Sequence, residues 1–164
     1  MVKTNAMRIL DSNKIDYKVM SYEVKSEHVD GVEVAHDIGR DVNEVYKTLV
    51  TQGVSKNIYV YVIPVHENLD LKKAAKVAKE KSVEMIHVKD INKLTGYIRG
   101  GCSPIGMKKL YKTFVNESAK NLDTIIVSAG KIGYQIELSP FDLQRLIKVE
   151  FVDVRSEEHT SELQ

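Results

Sequence analysis

The chain has 164 residues, with 24 Lys and Arg against 23 Asp and Glu, so its formal net charge is +1. This length fits one domain, and the near-neutral charge disfavours a protein that holds nucleic acid mainly by bulk electrostatics. No apolar run reaches the roughly 18–20 residues that cross a bilayer, and the first residues lack the apolar stretch of a signal peptide, so we expect a cytoplasmic protein with no membrane partner. A single cysteine, Cys102, excludes an internal disulfide framework and a cysteine-rich zinc site.

The first half of the chain is typical of short helices that alternate with strands. Thr4 is suited to cap a first helix, and Gly39 is suited to end a second one. The β-branched and aromatic runs on either side of Gly53 predict a hairpin. The predicted elements are a helix at 4–13, a strand at 17–24, a helix at 31–39 and strands at 45–50 and 57–65.

The second half continues this mixture. Leu71, Ala74, Ala75 and Ala78 have the spacing of an apolar helical stripe, and Pro140 is suited to the first turn of a last helix. The predicted elements are a helix from 68 or 70 to 81, a strand at 83–88, a helical turn at 91–94, a glycine-rich loop at 96–106, strands at 112–115, 124–128 and 134–138, a helix at 140–147 and a strand at 149–154.

These elements predict a single α+β domain over residues 1–154, with a mixed, largely antiparallel sheet rather than a doubly wound parallel one. Residues 155–164 have no apolar periodicity. They are typical of a polar tail, and we interpret them as a cloning or sequencing scar that carries no chemistry.

Lys47 is the first candidate for chemistry. The strand period of two places it on one face with Val45 and Leu49, where an unpaired ammonium group would be costly to bury. Either the side chain extends to water, or it lies in a pocket that binds an anionic or carbonyl-bearing ligand.

The segment 100–106, with the sequence GGCSPIG, is the second candidate. Two adjacent glycines let backbone N–H groups approach a phosphate or the oxyanion of an attacked ester, but they equally serve a tight connection between strands. The segment lacks the Lys-Ser/Thr ending of a phosphate loop, which disfavours nucleoside triphosphate hydrolysis.

Cys102 lies in this loop, but no histidine has a sequence context that marks it as the base for a thiol nucleophile. The histidines also lack metal-ligand spacing, so we expect no metal and no cofactor.

The predicted helix at 70–81 exposes several lysines. They form either an ordinary solvated face or a contact for RNA phosphates.

Several segments between residues 3 and 154 occur in an order that resembles the YbaK/EbsC family of freestanding tRNA-editing domains, the Cys-tRNA(Pro) deacylases. The chain is also similar to the editing domain inserted in bacterial prolyl-tRNA synthetases. The segments that carry the resemblance are Asn13-Lys14-Ile15, Tyr22-Glu23, the VYKTL run at 45–49, the LDLKKAA run at 69–75, Thr95-Gly96-Tyr97, the loop at 100–106, the VSAGK run at 127–131 and Ile136-Glu137-Leu138.

The resemblance implies a curved, mostly antiparallel sheet, a pseudo-barrel flanked by helices, and hydrolysis of the ester that joins a mischarged amino acid to tRNA(Pro). It implies that Lys47 projects into the substrate pocket, that Gly101 supplies a backbone donor to the ester and that Tyr22 forms a pocket wall. The further substrate-binding positions it implies are Gly100, Cys102, Ser103, Pro104, Ser128, Gly130 and Gln135.

The same resemblance implies a mechanism without a protein nucleophile, a metal or a cofactor. The thiol of the substrate attacks its own ester and releases tRNA and a thiolactone, so that the reaction is formally either a hydrolysis or a lyase step. Prolyl-tRNA synthetase is the implied partner, with the lysine-bearing helix as a candidate contact.

One position departs from the family pattern. Many members carry Asp before the Ile-Glu-Leu run, whereas this chain has Gln135, which removes a negative charge near the ammonium group of the substrate. Three alternatives therefore stay open: a deacylase for another small amino acid such as that of Ala-tRNA(Pro), a non-catalytic module that binds aminoacyl-tRNA or the synthetase, and a thiol hydrolase that uses Cys102.

Overall fold

The computed structural model describes residues 3–25 and 30–157. In these ranges the chain forms five α-helices and eight strands, together with two short 3-10 turns at Val88–Asp90 and Glu117–Asn121. In chain order the elements are α1 (Asn5–Ser12), β1 (Lys18–Ser21), α2 (Gly31–Asp37), β2 (Tyr46–Gly53), β3 (Ile58–Pro64), α3 (Leu71–Ala78), β4 (Val83–Met85), α4 (Ile91–Thr95), β5 (Lys112–Asn116), β6 (Ile125–Ser128), β7 (Tyr134–Leu138), α5 (Pro140–Ile147) and β8 (Glu150–Val152).

Polar side chains fix where the longer helices begin. The Thr4 hydroxyl accepts a hydrogen bond from the Met7 amide, and the Asp70 carboxylate accepts from the first-turn amides of α3. Ser139 caps α5 in the same way, with Pro140 in the first turn. These caps satisfy amides that a helix cannot pair internally, so the predicted helix starts agree with the structure.

The strands form two sheets. One is mixed and five-stranded, in the order β4-β2-β3-β5-β8, and the other is antiparallel and three-stranded, in the order β1-β7-β6. Strand β5 runs parallel to both β3 and β8, while the remaining pairs are antiparallel. The α+β class and the mostly antiparallel pairing are thus confirmed.

A backbone bridge links the two sheets. Val45, just before β2, bridges to Ile126 in β6, and the Ile126 amide donates to the Glu44 carbonyl at 2.9 Å. The curved sheet expected from the sequence is therefore divided in two within the described residues, and it does not close into a barrel.

Apolar clusters cover both faces of the five-stranded sheet. Val60 and Val62 of β3 join a cluster with α1, α5 and the three-stranded sheet, whereas Tyr61 and Ile63 pack with α3 on the other face. This division follows from the strand period of two. The apolar stripe predicted for α3 is narrower than expected, because Leu71 in its first turn is 43% exposed.

The fold continues past the boundary predicted at residue 154. Arg155 pairs with Leu69, its guanidinium contacts the Glu67 carboxylate at 3.2 Å, and the Ser156 amide donates to the Asn68 carbonyl at 2.7 Å. The first residues of the segment interpreted as a tail therefore belong to the domain, and 158–164 lie outside the described residues. In the described ranges the longest helices have eight residues, and none could cross a bilayer.

Candidate functional site

A cavity of about 350 Å³ opens where the two sheets meet. This volume is in the range of about 300–1,000 Å³ that is usual for small-molecule sites. Five parts of the chain line it: the start of α2, the first half of β2 with the residue before it, the residue after β3, the loop that follows α4, and the paired strands β6 and β7. The lining residues are Asp30, Gly31, Val34, Val45, Tyr46, Lys47, Thr48, Leu49, Val65, Arg99, Gly100, Cys102, Ser128 and Gln135.

Lys47 lies half-buried in the wall formed by β2, in register with Ile63 of β3. Val45 and Leu49 line the same cavity, as expected for residues that share a strand face. The sequence left open whether Lys47 extends to water or lies in a ligand pocket, and its position in the lining favours the pocket.

The loop after α4 makes a tight turn at the cavity. The Gly101 amide donates to the Ile98 carbonyl at 2.9 Å, and Gly100 has a φ of +84°. A type II turn requires positive φ at its third residue, which glycine adopts without strain. The two central residues of this turn, Arg99 and Gly100, line the cavity.

The backbone donor predicted at Gly101 does not agree with this geometry. Its amide is already bonded to Ile98, and the residue is buried against the next turn, where an added Cβ would lie 3.0 Å from the Ile132 nitrogen. The amides of Gly100 and Cys102 form no hydrogen bond with any residue in the described ranges, and both residues line the cavity. The amides available to a ligand are therefore those on either side of Gly101.

Three other predicted substrate-binding residues support the loop rather than line the cavity. The Ser103 hydroxyl is buried and accepts from the Ile105 amide at 3.3 Å. Pro104 lines a separate groove on the protein surface. Gly130 packs so closely on Tyr97 that an added Cβ would lie 2.8 Å from a ring carbon.

Ser128 and Gln135 are register partners on β6 and β7, and both are buried at the cavity wall. The Ser128 hydroxyl accepts from the Gly130 amide at 3.1 Å. The Gln135 amide group gives this wall hydrogen-bonding capacity without charge.

Burial raises the pKa of the Cys102 thiol to about 12. A nucleophilic cysteine instead needs a lowered pKa. No histidine in the described ranges lines the cavity. These observations disfavour the thiol hydrolase alternative.

Two buried hydroxyls lack a hydrogen-bond partner within the described residues, those of Tyr22 and Thr48. Thr48 lines the cavity, but Tyr22, which was predicted to form a pocket wall, is not among the residues that line it. Tyr22 follows β1, and its amide donates a hydrogen bond to the Gly133 carbonyl. An unsatisfied buried hydroxyl costs about 1–3 kcal/mol, so a ligand that supplies a partner would recover this free energy.

An ion-pair cluster holds the end of α2 to β7. The Arg40 guanidinium contacts both Glu137 oxygens, at 2.7 and 3.0 Å, and the Glu44 carboxylate at 2.8 Å. Thr124 also donates to Glu137 at 2.5 Å. Because Arg40 and Thr124 stabilise the ionised form, the pKa of Glu137 falls to about 2.

The start of α2 packs directly on the end of β3. An added Cβ on Gly31 would lie 2.6 Å from a methyl group of Val65, so only glycine lets the helix approach this closely. Together with the ion pairs of Arg40, this contact fixes the wall of the cavity that carries Asp30.

Sequence reasoning missed three polar residues of the cavity: Asp30, Thr48 and Arg99. The strand period predicts that Thr48 lies on the face opposite Lys47. Both residues line the cavity because it opens at the start of β2, where the two sheets meet. Arg99 directly precedes the two glycines of the candidate loop, and this position in the sequence could have identified it as a cavity residue.

The lysine-bearing helix α3 is only partly available to a ligand. Lys73 donates to the Asp153 carboxylate and to the Arg155 carbonyl, each at 3.1 Å, whereas Lys72, Lys76 and Lys79 are exposed.

In the described ranges no cluster of His, Cys, Asp and Glu side chains is arranged to hold a metal ion.

Comparisons with known proteins agree on a single family. Residues 26–146 match the family of the aminoacyl-tRNA editing domain. A protein of Enterococcus faecalis, provisionally named Cys-tRNA(Pro)/Cys-tRNA(Cys) deacylase EbsC, is 46% identical over 156 residues, which cover 95% of each chain. Proline--tRNA ligase of Lactobacillus helveticus is 37% identical over 68 residues, which are 41% of this chain and 12% of that protein.

Solved structures share the fold. A crystal structure described provisionally as a trans-editing enzyme for prolyl-tRNA synthetase superposes with a TM-score of 0.81 at 20% identity, over 95% of this chain and 99% of the other. The structure of the hypothetical protein APE2540 gives a TM-score of 0.84 at 19% identity, over 93% of this chain and all of the other.

Proposed function

Because the chain belongs to the aminoacyl-tRNA editing domain family, we propose that it deacylates tRNA(Pro) mischarged with cysteine. The observation that carries this proposal is the cavity at the junction of the sheets, where Lys47 lines one wall and the Gly100 and Cys102 loop lines another. It combines a cation with available backbone amides, which is what an ester needs as its carbonyl oxygen gains charge.

In the proposed reaction the cysteinyl group enters the cavity and its thiol, having lost its proton, attacks the ester carbonyl carbon. The carbonyl oxygen becomes an oxyanion, which accepts hydrogen bonds from the amides of Gly100 and Cys102. The bond to the ribose oxygen then breaks, and this oxygen takes up from water the proton that the thiol gave to water. A thiolactone leaves, and water later opens it to free cysteine.

The chain contributes position and charge to this reaction rather than a nucleophile. Holding the thiol against the carbonyl can supply roughly 7–11 kcal/mol of the barrier through orientation. Loss of a single preorganised donor typically costs about 10²–10³ in rate. Lys47 adds a positive charge at the cavity, which favours the oxyanion over the neutral ester.

We further propose that Arg99 contacts a phosphate of the terminal nucleotides of the tRNA. Its side chain is exposed at the cavity, and it has no carboxylate partner in the described ranges, whereas the guanidinium of Arg40 is already paired. A guanidinium matches phosphate geometry in a bidentate way. Arg99 would therefore recognise the tRNA part of the substrate, with prolyl-tRNA synthetase as the proposed source of the mischarged product.

One observation favours a second candidate substrate. Gln135 is neutral, so the wall of β7 lacks the carboxylate that the family resemblance implies at this position. Alanine on tRNA(Pro) would be accepted if cysteine selectivity depended on that charge. Alanine has no thiol, so its release would require an attacking water.

The test is release of amino acid from purified Cys-tRNA(Pro), Ala-tRNA(Pro) and Pro-tRNA(Pro). We expect rapid deacylation of the cysteinyl form and little of the prolyl form. Retained binding without release of any amino acid would favour the non-catalytic module instead.

Cys102→Ala separates a substrate thiol from a protein thiol in the same assay. We expect turnover within about threefold of wild type, because the Cys102 thiol is protonated at neutral pH. Loss of nearly all activity, with an unchanged thermal unfolding midpoint, would contradict the substrate-thiol mechanism.

A further inference from the structure

Asp30 differs in charge from every other lining residue of the cavity in the described ranges. The charged side chains there are Asp30, Lys47 and Arg99, so Asp30 is the single acidic one among them. An aminoacyl ester carries a positive α-ammonium group next to its carbonyl. A carboxylate in the same cavity would attract this group, whereas the like charges of Lys47 and Arg99 would not.

Other carboxylates near this wall are committed elsewhere. Glu137 shares the strand face of Gln135, but it accepts hydrogen bonds from Arg40 and Thr124. Glu44 is bonded to the same guanidinium. Gln135 itself lines the cavity but carries no charge.

The local structure orients the carboxylate of Asp30. Its Oδ1 accepts a hydrogen bond from the Val32 amide at 2.9 Å, as the cap of α2. Its Oδ2 has no partner in the described ranges and is available to a ligand. The residue that follows, Gly31, is packed against Val65, so the carboxylate is held at the cavity rather than on a freely moving segment.

We propose that Asp30 binds the α-ammonium group of the aminoacyl ester and so supplies from α2 the negative charge that Gln135 does not supply from β7. This inference rests on the proposed deacylation and names the residue that makes it selective for a free amino group. A substrate with a blocked amine would lose this contact, whereas its thiol and its ester would be unchanged.

Asp30→Asn tests the proposal with little risk to the fold, because Asn caps helices about as well as Asp while it removes the charge. The assay compares Cys-tRNA(Pro) with N-acetyl-Cys-tRNA(Pro), for wild type and variant. We expect kcat/KM of the variant to fall about tenfold on the free-amine substrate and to stay within twofold on the acetylated one. Equal losses on both substrates, or no loss on either, would overturn the assignment.

Gln135→Asp in the Asp30→Asn background provides the rescue, since residue 135 lines the same cavity. We expect at least half of the lost activity on the free-amine substrate to return, with no gain on the acetylated one. A gain of equal size on both substrates would contradict an ammonium contact.

If wild type hydrolyses neither ester, the proposed function fails, and the role of Asp30 is decided by binding alone. The probes are 3′-cysteinylamino-3′-deoxyadenosine, an amide that cannot undergo ester cleavage, and its N-acetyl form. A weaker Kd of Asp30→Asn for the free-amine probe only would support the assignment, and equal Kd values for the two proteins would overturn it.

Discussion

Lys47 places a positive charge on the wall of the cavity. It lies half-buried, with Val45 and Leu49 lining the same cavity. The strand period alone identified this side chain as unusual, and the junction of the sheets explains why it meets a cavity rather than bulk water.

We expect Lys47→Met to lower kcat/KM for Cys-tRNA(Pro) by about 10²-fold, because the variant keeps an unbranched side chain, one atom shorter, and removes the charge that favours the oxyanion. Urea denaturation checks that the variant is folded under the conditions of the assay. Lys72→Met on the exposed surface of α3 is the control and should leave the rate unchanged. An unaltered rate in Lys47→Met would remove this residue from the site.

Arg99 stands at the mouth of the cavity on a turn whose backbone is fixed by the hydrogen bond from Gly101 to Ile98. We expect Arg99→Ala to raise KM for the charged tRNA several-fold and to leave kcat within twofold. The dependence of log KM on log salt concentration should become shallower by about one phosphate contact. Cleavage of a cysteine methyl ester, which has no phosphate, should not change, and a parallel loss on that ester would argue for a structural role.

At the scale of the elements, the placement of α2 depends on the ion pairs between Arg40 and its two carboxylates. The side chain of Glu137 is only 10% exposed and that of Arg40 is 29% exposed, so water weakens this contact less than it weakens a surface pair. The lowered pKa of Glu137 means that the folded state prefers the ionised carboxylate. Its contribution is complete above the unfolded pKa near 4.5 and is lost as the pH falls towards about 2.

We therefore expect Glu137→Gln to reduce the free energy of unfolding by about 2 kcal/mol at pH 7, and by progressively less as the pH is lowered from 5 to 3. Urea denaturation at a series of pH values measures both effects. Glu150→Gln is the matched control, because its pair with Lys112 is half-exposed, and it should cost less than about 0.5 kcal/mol. A Glu137→Gln deficit that stays constant with pH would show that the charge is not the cause.

The elements themselves could be predicted from local sequence, but their exact ends and the positions of the donors could not. The last helix was expected at the residues where it is found, because Pro140 is suited to its first turn. The strand expected at 17–24 is only four residues long, since β1 pairs with β7 only as far as Ser21. Gly101 was predicted as the donor from the family resemblance, and the sequence could not show that the turn itself uses its amide.

The whole molecule creates the site by joining two sheets, and this step is not visible in the sequence. Residues from α2, β2, the loop after α4 and β6–β7 reach one cavity only because Val45 and Ile126 bring the sheets together. This pairing spans about half of the chain, and no local spacing predicts it. The same dependence on distant parts explains why Asp30 and Arg99 were not predicted to line one cavity with Lys47.

A second contact between distant parts keeps the loop in place, and it yields a test at this scale. Gly130, in the turn between β6 and β7, has a φ of +96° and packs on the ring of Tyr97, whose hydroxyl donates to the Ile105 carbonyl at 2.5 Å. This contact holds the loop of Gly100 and Cys102 against the three-stranded sheet. An added methyl group would both strain the backbone and displace the ring.

Gly39→Ala separates these two effects, because Gly39 also has a positive φ, of +71°, but no atom of the described residues lies within 4 Å of an added Cβ. We expect Gly39→Ala to cost about 1–2 kcal/mol of unfolding free energy through backbone strain alone, with deacylation unchanged. Gly130→Ala should cost about 1–3 kcal/mol more through overpacking and should lower kcat/KM at least tenfold as the loop shifts. If both variants lost the same stability and neither lost activity, the contact between Gly130 and Tyr97 would not be what aligns the loop with the wall that carries Lys47.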